Sequence, residues 1–571
     1  MSRKAKLHLL LCILMTSLLV FTSCSSAATT TSPASSTSDT SATADSTTAS
    51  TEPTATPDTP LGKYDPPISI TTIRSIDNTR TYMPGETWEN NLWTQAYEEQ
   101  LGIKLSYLWT APSNEFDAKM NIAIASDDIP DMLYLKYDQF YRLAKSGKLA
   151  DLSESFENLA NPVMKDTVTN YLDGMVSKAT TFDGKLLGLG NPPGATNFLE
   201  LWYRDDWLAN VGLSAPKNFD DVIAMMYAFA KEDPNKNGTP TVGLGVSKEL
   251  WGGGMGLEGF FNAYHSYPNL WVEKDGKLAH GSIQPETKAA LEKLAKLYAD
   301  GVLDKDFAIK GIWAEAADDI VKDKIGLAFG PLWFGLWKCN DVMVNHPNTA
   351  TWTCMPIPSA DETPALSQQS IMIDYVACMS KDAKNPEALI KINNLQHYLD
   401  RDSETRVAKY HYQADPDGNV VSNFFHKIIQ IDYDVMYNIN SVDMVKTALE
   451  TGDESKLDTE MLDFYKLAKS YMDGTDMKGY GAYATDGPGG GAVIANEILA
   501  KKLYLNDSFF GPSSDTMNAK LGNLMSKENE VFTKIIMGAP ISEFDDFVEY
   551  WNSQGGSEIT AEVNDWFANT K

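Results

Sequence analysis

The chain has 571 residues, 43% of them hydrophobic and 11% aromatic, which is enough for a substantial core in two or three domains, or in two lobes built from crossing segments. Its formal charge of −29 argues against nucleic acid and against attraction to an anionic bilayer. It suits a soluble protein handling neutral or cationic ligands, or serves solubility alone.

The chain opens on Arg3, Lys4 and Lys6, followed by an apolar run from Leu9 to Phe21 that ends in Phe21-Thr22-Ser23-Cys24. A basic start, a short apolar stretch and small residues before the cut follow the plan of a secretory signal, 1–23. The run is too short for a comfortable span. A cysteine at the cut looks like a bacterial lipobox, with Cys24 carrying the lipid, palmitate included. The alternative is an ordinary signal peptide with an incidental cysteine. Residues 24–61 are almost all Ser, Thr, Ala, Pro and Asp with no aromatic, a composition that cannot bury enough surface to fold. They read as a leash with a root-mean-square reach of about 35 Å.

Beyond the leash, strands and helices alternate. Pro67 to Ile73 is β-rich, Thr87 is placed to cap a helix ending before Gly102, and Ile103, Leu105, Tyr107 and Trp109 alternate along one strand face. A helix over Glu115 to Ala125 and a short strand from Asp131 to Leu135 complete a βαβαβ rhythm, which predicts a parallel sheet covered by helices. Asn218 caps a helix through about Lys231, and Pro285 opens one that Gly301 stops. Lys324–Gly330 and Ser370–Met379 are further strands.

Three cysteines remain after the leader: Cys339, Cys354 and Cys378. No CxxC pair occurs, so they read as buried thiols, with a Cys339–Cys354 disulfide open. Asp233-Pro-Asn235-Lys-Asn237-Gly-Thr239 follows the first half of a calcium loop, with side-chain oxygens at positions 1, 3 and 5 and a backbone carbonyl at 7. Position 12 is Leu244 rather than glutamate. The loop is either a weak structural calcium site or an Asn-Gly turn. No GxSxG, HExxH or kinase motif set occurs. The Gly487–Gly491 loop lacks the lysine and hydroxyl residue of a phosphate cradle.

The ordered segments resemble the extracellular solute-binding lipoproteins of ABC transporters, family 1, best known for carbohydrates. The resemblance is carried by Ala125-Ser-Asp-Asp-Ile-Pro-Asp131, Asp183-Gly-Lys-Leu-Leu-Gly-Leu189, Leu201-Trp-Tyr-Arg-Asp-Asp-Trp207 with Pro216-Lys-Asn-Phe-Asp220, the stretch Gly281 to Phe307, Asp374-Tyr-Val-Ala377, and the helices of Val531 to Trp566. It implies an α/β fold of the type II periplasmic-binding-protein kind, two lobes joined by crossing hinge strands around a cleft. Lobe 1 would be 62–195 and 328–375, and lobe 2 would be 196–327 and 376–571.

By the same resemblance the protein is a monomer without catalytic residues. It would be lipid-anchored on the outer face of the cell membrane, capture a carbohydrate of oligosaccharide kind, and pass it to ABC permease subunits. A sugar needs aromatic platforms for its C–H faces and carboxylates or amides for its hydroxyls. Trp109, Asp138 and Gln139 lie at strand ends, Asn197 near a crossover, and Trp333 and Trp337 beyond the Lys324–Gly330 strand. Trp251 faces from the other lobe, while Tyr480 and Tyr483 precede the glycine-rich loop. Core packing is the alternative for each aromatic, and a solvated loop acid or helix cap for Asp138. The acidic balance mildly disfavours highly anionic glycans. Alternative functions are a lipid-anchored glycoside hydrolase or lyase, needing two carboxylates about 5–10 Å apart, or the binding subunit of a sensor.

Overall fold

The computed structural model describes residues 59–570, apart from 78–79, 173, 195–197, 347–350, 371–372, 403–406, 412 and 417–419. The leader, Cys24, the leash up to Asp58 and Asn197 lie outside the described residues.

In the first lobe, β1 (Ile68–Ile76) is followed by α1 (Leu92–Leu101), β2 (Ile103–Pro112), α2 (Ser113–Ser126), β3 (Met132–Lys136) and α3 (Tyr137–Lys145). β1 and β2 pair in parallel, with Ile68 opposite Ile103. α1 buries Trp93, Ala96, Tyr97 and Leu101 beneath them. Its cap is Asn91 rather than Thr87. Asn91 Oδ1 accepts the N–H groups of Trp93 (3.0 Å) and Thr94 (3.3 Å), while Thr94 Oγ1 accepts Asn91 N–H at 2.9 Å. Thr87 instead accepts Asn90 N–H at 3.1 Å, closing the turn before the helix. The reciprocal pair satisfies two orphan donors and outcompetes the single hydroxyl. The helix stops at Gly102, whose φ is 66°. A Cβ there would lie 2.4 Å from the Tyr64 carbonyl oxygen, so both backbone shape and space demand glycine.

Asp131, the acid at the end of the Ala125–Asp131 segment, ties β1 to the start of β3. Its Oδ2 accepts Thr71 N–H at 2.8 Å and the Thr71 hydroxyl at 2.6 Å. The sheet is not wholly parallel, as the alternation predicted. β3 pairs antiparallel with the strand Tyr375–Met379, which pairs in turn with Leu189–Gly190. A strand arriving late in the chain takes the place that a continued βαβ rhythm would have filled.

The second lobe is centred on the strand Glu200–Arg204, which pairs antiparallel with Leu327–Gly330 on one side and Trp352–Met355 on the other. Trp202 and Trp207 are fully buried around it. Arg204 is anchored by Asp206 and Asp323, both at 2.6 Å, so the Leu-Trp-Tyr-Arg-Asp-Asp-Trp segment carries structure. The helix Phe219–Lys231 buries Val222, Met225, Met226 and Phe229, and Asn218 Oδ1 accepts Asp221 N–H at its start at 2.9 Å. Pro285 occupies the first turn of Pro285–Ala299. Cys339, Cys354 and Cys378 are free, buried thiols. The disulfide left open by the sequence is therefore not formed.

The expected lobe boundaries need correcting. One core runs from Tyr64 to Leu189 and resumes from Ile373 to Tyr433. A second runs from Leu199 to Ala365 and resumes from Met517 to Val563. Phe198, Trp202, Phe334, Tyr480 and Ile498 share a third cluster that lies against the second. Segment 328–370 therefore belongs with lobe 2, because Leu327 to Gly330 are locked residue by residue onto Tyr203 to Glu200. Residues 376–433 belong with lobe 1, because Tyr375–Met379 is locked onto β3 and the buried helix Ala388–Asp400 follows it. The chain passes between the lobes three times: between Gly190 and Phe198, between Ser370 and Ile373, and between Tyr433 and Tyr437.

Candidate functional site, an interlobe cleft

Three cavities join along the line where the lobes meet. On the first lobe, a cavity of about 480 Å³ opens at the C-terminal ends of β1 and β3, lined by Arg74, Tyr82, Tyr134, Asn191, Asp374 and Tyr375 among others. The carboxyl ends of strands in open α/β sheets are where crevices form. A cavity of about 680 Å³ lies between the lobes, with Asp117, Asn121, Asp138 and Gln139 on one wall and Phe509, Ser513 and Trp566 on the other. A third, of about 620 Å³, is set into the second lobe and holds Trp251, Glu258, Trp271, His280, Trp333 and Asp507. Asp117 lines the first and second cavities, while Phe509, Ser513 and Met517 line the second and third.

Four of the residues singled out from the sequence line this cleft. Asp138 sits in the first turn of α3 and accepts Ser513 N–H at 3.1 Å, a hydrogen bond from lobe to lobe. Gln139 is buried beside it, with Oε1 accepting Lys136 N–H at 3.3 Å and Nε2 reaching Asn121 at 3.4 Å. Trp251 backs onto Phe261 (5.3 Å) and Phe532 (6.1 Å). Trp333 stacks on Trp313 at 6.2 Å and 20°.

Three others do not line the cleft cavities. Trp109 packs on Phe116 at 5.4 Å, one layer behind the first-lobe wall. Trp337 meets Phe334 at 5.9 Å and covers Gly254. Tyr483 leans on Tyr471 at 5.1 Å, and its ring covers Gly487. These are packing residues, with the Lys119 ammonium over the Trp109 ring at 4.8 Å. The glycine-rich loop beside Tyr483 likewise serves packing: a Cβ on Gly491 would lie 2.5 Å from the Leu332 carbonyl oxygen and 2.7 Å from the Trp202 ring.

The strongest chemistry of the second-lobe cavity comes from residues the sequence did not single out. Glu258 accepts Gly252 N–H through one oxygen. Its other oxygen is buried without a partner, and burial raises its pKa to about 7. Asp507 accepts the N–H groups of Trp271 and Phe509, both at 3.0 Å, and burial raises it to about 7 as well. Burial takes His280 down to about 3, so its ring is neutral, and its Nδ1 has no partner. Asn269 Oδ1 is a further buried oxygen without one. Buried polar atoms are normally satisfied by protein or water. Here three of them converge on one cavity beside three tryptophans. A signal for Glu258 and Asp507 existed: each is a lone acid in an apolar run, Met255–Ala263 and Leu503–Phe510. Trp271 had no such signal, since only the Trp271–Lys274 hairpin strand brings it to the cavity.

The Asp233–Thr239 loop does not fit calcium. It holds one carboxylate, and its side-chain oxygens accept backbone N–H groups: Asp233 from Gly238 (3.0 Å), Asn235 from Asn237 (3.4 Å) and Asn237 from Thr239 (2.7 Å). Asn235 Nδ2 donates to the Asp323 carbonyl at 2.9 Å. Calcium takes about six to eight oxygen ligands, and position 12, Leu244, is buried in the core. Among the described residues no group of three or more His, Cys, Asp or Glu is placed to hold a metal. The loop is the Asn-Gly turn that the sequence left as the alternative.

Comparison with known proteins places this geometry. The family described as bacterial extracellular solute-binding protein matches residues 82–392. Lipoprotein LipO of Bacillus subtilis is 25% identical over 496 residues, covering 84% of this chain and 89% of that protein. The polygalacturonan/rhamnogalacturonan-binding protein YtcQ of the same organism is 26% identical over 216 residues, 37% of this chain and 41% of that protein. The crystal structure of an extracellular solute-binding protein from Bifidobacterium longum subsp. infantis superposes with a TM-score of 0.57 at 18% identity, over 89% of this chain and 99% of that one.

Proposed function

The chain belongs to the bacterial extracellular solute-binding proteins, and from that premise we propose that it captures an oligosaccharide in the interlobe cleft and delivers it to an ABC importer. It is a binding protein rather than an enzyme, and the family needs no cofactor. The observation that carries the reading is the second-lobe cavity: three tryptophan faces with Glu258, Asn269 and His280 offering unpartnered polar atoms between them. Flat aromatic surface beside convergent hydrogen-bonding groups is what a sugar ring demands. A neutral carboxyl at Glu258 donates to a hydroxyl oxygen, and an ionised one accepts from a hydroxyl. The name of YtcQ, a polysaccharide-binding relative, supports the ligand class. LipO, a lipoprotein by name, supports the anchor at Cys24, which would hold the protein at the outer face of the membrane as a monomer on its leash.

The test is a panel of oligosaccharides offered to the purified full chain, read by melting temperature and small-angle scattering. A ligand at a hundredfold excess over its dissociation constant stabilises the fold by about 2.7 kcal/mol, which raises the melting temperature of a protein this size by about 2–3 °C. The radius of gyration should fall as the lobes close. A panel that moves neither quantity, or a ligand that is hydrolysed, refutes the reading.

A further inference from the structure

The first-lobe wall of the cleft holds a buried cation that the whole-chain acidity conceals. Arg74, near the C-terminal end of β1, is 9% exposed and lines the cavity there. Its Nη2 donates to the His426 carbonyl at 3.1 Å, and the rest of the guanidinium neighbours the buried Tyr107 hydroxyl rather than a carboxylate. Among the described residues no carboxylate pairs with it. Of the other cations on this wall and its rim, Arg80 is matched by Asp77 at 3.3 Å, Lys136 by Asp117 at 2.5 Å and Lys427 by Asp400 at 2.5 Å, while Arg142, which donates to the Asn121 amide oxygen at 2.6 Å, is exposed to water. The side chains next to Arg74, Tyr107 and His426, are uncharged, and two of the acids lining the same cavity, Asp77 and Asp117, are paired with Arg80 and Lys136. The Tyr107 hydroxyl is buried beside the guanidinium, and Tyr82 stacks on His426 at 4.1 Å. Asp374 lines the same cavity from the crossover, and burial raises its pKa, which favours its uncharged form.

A guanidinium taken out of water with no counter-charge is costly, and a planar fork of N–H donors matches a carboxylate. We infer that the saccharide bound in this cleft carries a carboxylate, as a uronic or other sugar acid does, and that Arg74 is the residue that selects it. This rests on the oligosaccharide reading of the cleft and narrows it. It also reverses the expectation drawn from net charge. Surface acids more than about 8 Å away are screened at physiological ionic strength, whereas a cation at the wall of a buried cleft acts at close range.

The experiment is titration calorimetry on the full chain with pairs of ligands: oligogalacturonate, oligomannuronate and sialyllactose, each against its carboxyl-reduced or methyl-esterified neutral form. At least one acid should bind more than about tenfold tighter than its neutral partner. Arg74→Gln should weaken that acid by on the order of a hundredfold, the effect of removing one member of a buried charge pair. It should leave the neutral form within a few fold. Arg74→Lys, which keeps the charge and loses the fork, should fall between them. It also decides the matter if the glutamine variant does not fold. Equal binding of every acid and its neutral form, or an acid preference that survives in both variants, overturns the inference. If only neutral oligosaccharides bind, with closure of the lobes, the acidic ligand is refuted while the oligosaccharide reading stands. If no saccharide binds and the lobes never close, the wider reading fails.

Discussion

Replacing Glu258 by glutamine removes one titratable charge from the cleft and keeps the side chain's shape. Burial raises this carboxyl from an ordinary 4.5 to about 7. Below pH 4.5 the group is neutral whether the chain is folded or not, and it costs nothing. As pH rises, the unfolded chain ionises freely while the folded one holds its proton. Stability is therefore lost between pH 4.5 and about 7 and levels off above. At about 1.4 kcal/mol per pH unit, the loss is on the order of 3 kcal/mol. Asp486 and Asp507, raised to about 7, and Glu528, raised to about 8, act in the same direction. His280, lowered to about 3, and His426, lowered to about 4, oppose them, because the unfolded chain takes up a proton on each below 6.5. Subtracting the variant from the wild type at each pH cancels these shared terms. Urea unfolding of the unliganded protein across this range should show the glutamine variant gaining about 3 kcal/mol relative to the wild type from the acid end to neutral pH. A difference that is flat with pH refutes both the burial of Glu258 and its neutral state in the cleft.

Three further outcomes follow from the same geometry. Trp333→Ala removes a stacking face and should weaken oligosaccharide binding by about 1–3 kcal/mol, measured by calorimetry; if the unliganded variant unfolds instead, Trp333 is a packing residue like Trp337. A chelator should leave the melting temperature unchanged, because the Asp233–Thr239 loop offers one carboxylate and has buried Leu244 where a bidentate glutamate would complete the shell; a chelator-dependent fall that Asp233→Ala abolishes would reinstate calcium. Cys24→Ala should release the protein from membranes or leave the precursor uncut, and a correctly processed variant that stays membrane-bound sinks the lipid anchor.

Local chemistry was legible in the sequence wherever a residue acts on its near neighbours. Asn218 and Pro285 start the helices expected of them, because a cap or a fixed φ is decided within a few residues. Thr87 misled because two capping residues stood four apart and only the reciprocal pair of Asn91 and Thr94 wins. Lobe membership was not legible. The strands Leu327–Gly330 and Tyr375–Met379 are both short apolar runs, and which sheet each joins is settled by partners more than a hundred residues away. The cleft was half legible for the same reason. Trp251 and Trp333 stood out as aromatics near glycines and strand ends, whereas Arg74 reads as an ordinary strand residue until its neighbours prove to be carbonyls and rings.

The three passages between the lobes have a bearing on how the chain comes to be folded at all. A chain made from its N-terminus onwards offers its segments in order. The first core cannot close on what arrives first. It waits for the strand Tyr375–Met379, which fills the place beside β3, and for the segment ending at Tyr433. By then every residue of the central sheet of the second lobe has already emerged, Glu200 to Met355, although that lobe's outer helices, Gly522 to Thr570, are still to come. Neither lobe is a unit of assembly in its own right. Each lobe is interrupted by segments of the other, and the final helices complete the second after the first has all of its core.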